Sequence, residues 1–235
     1  MKNTIKLALA AAAGLAAAAS AHAQANYNGD LMVGFSSGSG NDLIYDIGSV
    51  SSLQNGETWS LGSLLSGDAS TMNWGVIGNT LNGLGKHTDN TIFTTTSDPT
   101  VAPGIVTPTI YGNLNSVAST LFSALSPAGE GGYAQVAATT TPPTGVSWNM
   151  QTITGAGPVT YVNVYENPNI LGAGSEALWA VDDYATQTSS QLGTFSLDGT
   201  GTLTYNAVPE PATLSMLGGF GLLALSFRRK LNTKA

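Results

Sequence analysis

Short runs of alternating apolar and polar residues, each bounded by turn residues, fill the chain from residue 28 to residue 207. An alternation with a period of two places every second side chain on one face, as in a half-buried β-strand. β-branched and aromatic residues are frequent in these runs, and Gly, Asn, Asp and Pro separate them. The predicted strands are Asp30–Phe35, Asp42–Ile47, Thr58–Leu61, Asn73–Ile77, Thr91–Thr95, Gly132–Ala137, Val146–Ile153, Val159–Tyr165, Ala177–Val181, Gly193–Leu197 and Thr202–Tyr205.

Two hairpins and one helix stand out within this pattern. The stretches GDLMVGFSSGSGNDLIYDIGS and LGTFSLDGTGTLTYN predict hairpins, the second turning at Asp198 and Gly199. Residues Asn115–Leu125 instead space their apolar side chains three and four apart and precede Pro127, which predicts a short helix. The sequence therefore predicts an all-β body, an antiparallel β-sandwich or jelly-roll-like fold with one short helix.

The charges are unevenly distributed along the chain. Six of the seven basic residues lie near the two ends, so that between Gln24 and Ala207 only Lys86 stands against thirteen carboxylates, a net charge of −12. Such a body repels nucleic acid and anionic membrane surfaces. The chain has no Cys, which excludes disulfides and thiolate metal sites. The acidic balance is compatible with calcium binding and equally with plain solubility.

The first 23 residues have the three parts of a secretory signal peptide in the correct order. Lys2 and Lys6 form a positive start, an apolar region rich in Ala and Leu follows, and Ala21-His22-Ala23 ends it. Ala21 and Ala23 are the small residues that a signal peptidase reads, which predicts cleavage before Gln24. Residues 1–23 are therefore interpreted as a signal peptide and residues 24–207 as an exported domain.

The C-terminal segment, residues 208–235, combines proline, an apolar run and a basic cluster. Ala212–Phe227 contains sixteen residues without a charge. As a helix this run would span roughly 24 Å, against a bilayer core of about 30 Å, which predicts a marginal transmembrane helix. Arg228, Arg229 and Lys230 follow and are expected to stay on the cytoplasmic side as a stop, by the positive-inside rule.

Val208-Pro209-Glu210-Pro211, the apolar run and the terminal basic cluster together resemble a PEP-CTERM sorting signal. The resemblance implies a Gram-negative host and an exosortase, a membrane-embedded cysteine transpeptidase-like enzyme, that cuts at or near Pro209, Glu210 and Pro211. It also implies transient anchoring in the inner membrane, followed by delivery to the outer surface or an exopolysaccharide-rich biofilm matrix. The Asp30–Ser49 hairpin is similar to that of uncharacterised passengers of this family.

Two local patterns resemble functional motifs. Gly34-Phe35-Ser36-Ser37-Gly38 matches the G-x-S-x-G nucleophile elbow, but a predicted strand follows where that motif needs a helix. Residues 38–44, GSGNDLI, resemble one copy of a calcium-binding nonapeptide repeat, an arrangement that needs several stacked copies. We expect a tight hairpin turn at both places and predict no catalytic residue.

Acidic and aromatic residues provide the remaining candidate sites. Glu176, Asp182 and Asp183 form the densest acidic cluster, for which a solvated strand end is the favoured interpretation over calcium binding or acid–base catalysis. The four tryptophans fit either a sandwich core or a sugar-binding face; they are Trp59, Trp74, Trp148 and Trp179.

The combined prediction is an exported cell-surface or biofilm-matrix protein that is sorted by exosortase, with no catalytic activity, metal or cofactor. Its expected partners are signal peptidase, exosortase and exopolysaccharide, and not nucleic acid. The alternatives left open are a carbohydrate-binding module or matrix polysaccharide enzyme, and a calcium-stabilised or ice-binding-type adhesin.

Overall fold

Ten antiparallel strands form one continuous, curved sheet in the part of the chain that the structure describes. The computed structural model describes residues 29–80, 91–103, 130–138, 169–182 and 188–208, together with 117, 118, 120–122, 124, 125, 147–149 and 152. The strands are β1 (Asp30–Ser36), β2 (Asn41–Ser49), β3 (Thr58–Ser60), β4 (Asn73–Asn79), β5 (Ile92–Thr96), β6 (Tyr133–Ala137), β7 (Ile170–Leu171), β8 (Gly174–Val181), β9 (Ser189–Leu197) and β10 (Thr202–Ala207). Three short 3-10 helices lie at Val50–Ser52, Gly62–Leu64 and Ala69–Thr71.

The strand order is β3-β10-β9-β8-β5-β4-β1-β2-β6, and β7 pairs with β4 beside this path. The sheet bends into a half-barrel. The segment after β3 connects one edge to the other, because Gln135 of β6 donates to the Leu64 carbonyl (2.7 Å) and Ser66 donates to the Asn41 carbonyl (2.7 Å). The described strands thus form one sheet, and the predicted division into two packed sheets is corrected.

Two apolar clusters cover the two faces of the sheet. The larger cluster, on one face, is called the inner cluster, and the smaller one is called the outer cluster. The inner cluster contains Leu31, Val33, Phe35, Leu43, Ile47, Trp59, Leu61, Ala69, Met72, Trp74, Val76, Phe93, Leu178, Ala180, Phe195, Leu197, Leu203 and Tyr205. The outer cluster contains Met32, Ile44, Ile77, Ile92, Val117, Ala118, Leu121, Phe122, Leu125, Trp148 and Val181.

The short helix was predicted correctly. Residues 117, 118 and 120–122 are helical, and Val117, Leu121 and Phe122 are buried in the outer cluster at the spacing that the sequence predicted. Apolar side chains three and four positions apart share one side of a helix, so this side packs on the outer face of the sheet. The helix therefore takes the covering role that a second sheet has in a sandwich.

Nine of the eleven predicted strands are present, with ends that differ by a few residues. The strand predicted at Val146–Ile153 is wrong, because residues 148, 149 and 152 are helical. Trp148 packs its indole against Gly34 of β1 in the outer cluster, and this tertiary contact outweighs the local alternation. The predicted strand Val159–Tyr165 lies outside the described residues, and the two-residue β7 was not predicted.

Candidate functional site

The end of β10 is the part of the described body that directly precedes the predicted sorting motif. β10 lies inside the sheet, between β3 and β9, and its last residue Ala207 is opposite Gly193 of β9. The Val208 amide still donates to the Leu192 carbonyl (3.0 Å). No spacer therefore separates the last hydrogen-bonded residue from Pro209, which lacks the N–H that further pairing would need.

The other side of β10 is also bonded up to its last residue. The Tyr205 amide donates to the Glu57 carbonyl (2.9 Å), and the Gly56 amide donates to the Tyr205 carbonyl (2.8 Å). The Ala207 amide donates to the side-chain Oδ1 of Asn55 (3.0 Å). The segment before β3 therefore extends the pairing of β10 beyond the β3 ladder itself.

Tyr205 is the firm anchor of this strand end. Its side chain is 5% exposed, its hydroxyl donates to the Leu192 carbonyl (2.9 Å), and its ring lies 5.1 Å from that of Phe195. Gly193 makes room for it, because a Cβ there would lie 2.5 Å from the tyrosine Cε2. Val208, in contrast, is 42% exposed. The strand end thus passes from a buried anchor to an exposed last residue within three positions.

The sorting and processing residues predicted from the sequence all lie outside the described part of the chain. They are Ala21, Ala23, Pro209, Glu210, Pro211, Arg228, Arg229 and Lys230. Their roles remain predictions, as do the boundaries of the signal peptide and of the C-terminal segment. Within the described residues, none belongs to a helix long and apolar enough to cross a bilayer.

The G-x-S-x-G pattern lies in a hairpin turn, as the sequence predicted. β1 ends at Ser36, whose Oγ accepts from the Gly38 amide (3.0 Å), and β2 begins at Asn41. Gly38 and Gly40 both have φ of +76°, which favours glycine in such a turn. A strand-turn-helix nucleophile elbow is therefore not the structure formed here, and the single nonapeptide-like copy forms the same turn.

Three acidic side chains, Asp30, Asp46 and Glu130, interact at the end of the β1–β2 hairpin. A register shift beside Leu31 places Asp46 opposite Met32, on the same face as Asp30. Asp46 Oδ1 accepts from the Gly48 amide (2.9 Å), while Asp46 Oδ2 is buried without a hydrogen-bond partner. Gly48 has no side chain, which leaves room for the Glu130 carboxyl group, because a Cβ there would lie 3.1 Å from Glu130 Cδ.

Burial and mutual repulsion change the acidity of this group. Burial is the main cause that raises the pKa of Asp30 from 3.8 to about 6, and the charges of Asp46 and Glu130 add to it. Burial also raises the pKa of Asp46 to about 6, with a further contribution from Glu130. Among the described residues, however, no three acidic or histidine side chains are arranged to hold a metal ion.

Glu176 and Asp182 do not form a common site. Glu176 of β8 is fully buried beside the inner cluster, and burial raises its pKa well above the usual value, although Thr95 and the Ile170 backbone partly offset this. Asp182 follows the end of β8 and accepts from the Thr91 hydroxyl (3.0 Å) at the surface, as a solvated strand end should. Six strand residues place the two Cα atoms about 20 Å apart. Asp183 lies outside the described residues.

Asp42 has a structural role that sequence reasoning missed. Its Oδ2 accepts from the Ser147 hydroxyl (2.5 Å) and from the Asn149 amide (2.7 Å), so β2 holds a segment more than one hundred residues away. Burial raises the pKa of Asp42, and the hydrogen bonds from Ser147 and Asn149 partly offset that rise. A strand-starting Asp after a turn offers no sequence signal for such a distant partner.

Three of the four tryptophans are core residues, and the four do not form one exposed sugar-binding face. Trp59 and Trp74 belong to the inner cluster and Trp148 to the outer cluster. Trp179 is half-buried and donates to the Thr96 hydroxyl (3.0 Å). Among the described residues, Tyr133 is the aromatic side chain with the largest exposure, at 41%. The described surface therefore has no row of flat aromatic rings on which a sugar chain could stack.

Comparison with known protein families supports the assignment of the C-terminal segment. A family model described as the PEP-CTERM protein-sorting motif matches residues 207–230. Such a motif implies export, membrane-associated sorting towards the cell surface and processing by an exosortase. No curated protein and no solved structure matches the chain.

Proposed function

We propose that this chain, which carries a PEP-CTERM protein-sorting motif, is an exported protein whose β-sheet body is released by an exosortase. One observation carries this proposal: the match begins at Ala207, the last residue of β10. The folded sheet therefore ends where the sorting motif begins. Such a shared boundary is expected of a chain in which a separate folded body is followed by a sorting segment that is later removed.

The terminal segments supply the order of events. Signal peptidase reads Ala21 and Ala23 during export, and the apolar run then holds the chain in the inner membrane while Arg228–Lys230 remain in the cytoplasm. Exosortase cuts at or near Pro209-Glu210-Pro211. The body, roughly residues 24–208, passes to the outer surface or to an exopolysaccharide-rich biofilm matrix, where it acts without catalysis of its own.

The other candidate functions receive no support from a specific observation. A carbohydrate-binding module or polysaccharide enzyme would use exposed tryptophans, but Trp59, Trp74 and Trp148 are buried. A calcium-stabilised adhesin needs a set of converging ligands, and the described residues offer no group of three. The matrix-protein proposal is therefore the one that we carry forward.

The test is expression of the full chain in its host with and without exosortase. We expect a shorter product that lacks the C-terminal segment only when the enzyme is present, and mass spectrometry of both ends should place the cuts near residues 23 and 209. Glu210→Ala should keep the longer form, while Asp98→Ala, which removes an exposed carboxylate that bonds to Thr100 after β5, away from β10, should be processed normally. Equal processing without exosortase would contradict the proposal.

A further inference from the structure

The sorting motif follows an internal strand, and the sheet covers the backbone that a processing enzyme needs. An enzyme that cuts beside Pro209 must bind the preceding residues as extended chain through their backbone groups. In β10 these groups are already in use, since Ala207 and Val208 donate to Asn55 Oδ1 and to the Leu192 carbonyl. The enzyme and the sheet therefore compete for the same two residues.

The segment between the end of β10 and the sorting motif is too short to avoid this competition. From Val208 to Glu210 there are two residues, which span at most about 7 Å when fully extended. Four residues, about 14 Å, separate Val208 from Ala212, where the apolar run begins. A membrane-embedded enzyme therefore meets the folded body almost directly at the end of β10. This competition presupposes the proposed sorting function.

We propose that the last two residues of the body, Ala207 and Val208, form a gate: they must detach from the sheet before the sorting enzyme can bind the motif. Tyr205 limits the opening, because its buried ring and its bonds on both sides hold β10 in place up to that residue. Asn206 and Val208 are exposed, and Ala207 is a half-buried residue that packs against the inner cluster, so separation of this end withdraws one methyl group from that cluster and leaves its fully buried members covered. The rate of sorting then follows the fraction of chains whose strand end is detached.

A weaker strand end should therefore be processed faster. Opening and closing of a strand end are fast relative to most cleavage reactions, and in that regime cleavage tracks the equilibrium population of the open form. Removing one hydrogen bond with a net value of about 1 kcal/mol raises that population about fivefold. The side chain of Asn55 offers this change without alteration of β10 or of the motif.

The experiment is a pulse-chase of the full chain in a host that contains its exosortase, with the conversion rate as readout. Asn55→Ala should raise the rate about fivefold. A six-residue Gly-Ser insertion between Val208 and Pro209 should raise it at least as much, because the motif gains free chain while its distance from the apolar run is unchanged. Ser66→Ala is the matched control: it removes an exposed hydrogen bond to the Asn41 carbonyl, away from β10, and should leave the rate unchanged.

The outcomes separate the gate from the sorting function itself. Acceleration by both changes, with no effect of Ser66→Ala, supports the gate. Acceleration by the insertion but not by Asn55→Ala would overturn it, since clearance from the body rather than detachment would then limit the rate. Unchanged rates in both variants would overturn it as well, with sorting intact. Conversion that does not depend on exosortase would remove the sorting function and the gate together.

Discussion

Gly34→Ala is expected to destabilise the body strongly because the position has no space for one more carbon atom. A Cβ on Gly34 would lie closer than 3.0 Å to three atoms of the Trp148 indole, where ordinary carbon contacts need about 3.5 to 4.0 Å. The indole cannot move aside freely, since its Nε1 donates to Asn169 Oδ1 (2.7 Å) and the backbone carbonyl of Trp148 accepts from the Thr152 hydroxyl (2.8 Å).

The expected loss in the free energy of unfolding lies between the cost of overpacking a core and the cost of losing the tryptophan contact. Overpacking of a core costs about 1–3 kcal/mol, and removal of a buried aromatic side chain costs about 3–5 kcal/mol. Because the clash involves the ring itself, we expect a loss near the overlap of these ranges, about 3 kcal/mol. For a body of this size that corresponds to a fall in Tm of about 6–12 °C.

Urea unfolding of the full chain in mild detergent, followed by tryptophan fluorescence, measures this loss. Gly199→Ala is the matched control, since no atom lies within 4 Å of its Cβ and its φ is not left-handed; its effect should stay within about 0.5 kcal/mol. In a Trp148→Ala background the Gly34→Ala change should cost far less, because the ring is gone. Equal costs in both backgrounds, or a cost below about 0.5 kcal/mol in the native background, would refute the packing argument.

Buried carboxyl groups provide the remaining predictions. Asp30 and Asp46 have folded pKa values near 6 against 3.8 unfolded, so their protonation favours the folded state, and stability is lost as pH rises through this window. Solvent screening reduces the sum of the two contributions, so the free energy of unfolding should be about 1–2 kcal/mol higher at pH 5 than at pH 7. Asp46→Asn should diminish this difference. A free energy of unfolding that does not change with pH in the native chain would count against the prediction. Glu176→Gln should flatten the loss of stability that accompanies a rise in pH above the unfolded Glu pKa, since the raised pKa of Glu176 keeps a neutral acid in the core; an unaltered slope in titration-monitored unfolding would disprove this. Asp42→Ala should cost about 2–4 kcal/mol in urea unfolding, because the buried Asn149 amide loses its acceptor and the Ser147 hydroxyl is left with the Ala138 carbonyl, while Ser147→Ala should cost less; similar costs would contradict the role of Asp42 as a double acceptor.

Local patterns were sufficient for nine of the strands, for both hairpins and for the helix. The hairpin after β9 follows from Asp198, whose Oδ1 accepts from the amides of Thr200 and Thr202, all within five residues. The helix follows from apolar spacing alone. Residues 146–153 do alternate between apolar and polar, but the strand predicted there is wrong. Trp148 packs against Gly34, a partner more than one hundred positions away, and the local alternation carries no information about that contact.

For the C-terminal functional segment too, the sequence predicted one part and only the structure showed the other. Pro209-Glu210-Pro211, the apolar run and the basic cluster are linear signals, so the sequence determined the sorting motif, and the family match at residues 207–230 agrees. The covering of the strand end by Asn55 and Leu192 was not predictable, because no local pattern specifies which strands flank β10.

The sequence by itself determined most of the strands, the short helix and the sorting motif, since these depend on residues within a few positions of one another. Only the tertiary structure decided that ten strands close into one half-barrel, that Glu176 and Asp42 are buried, and that β10 is internal. The physical reason is that strand pairing and burial are set by the free energy of contacts across the whole chain: β3 meets β10 more than 140 residues later, and local propensity carries no information about that partner.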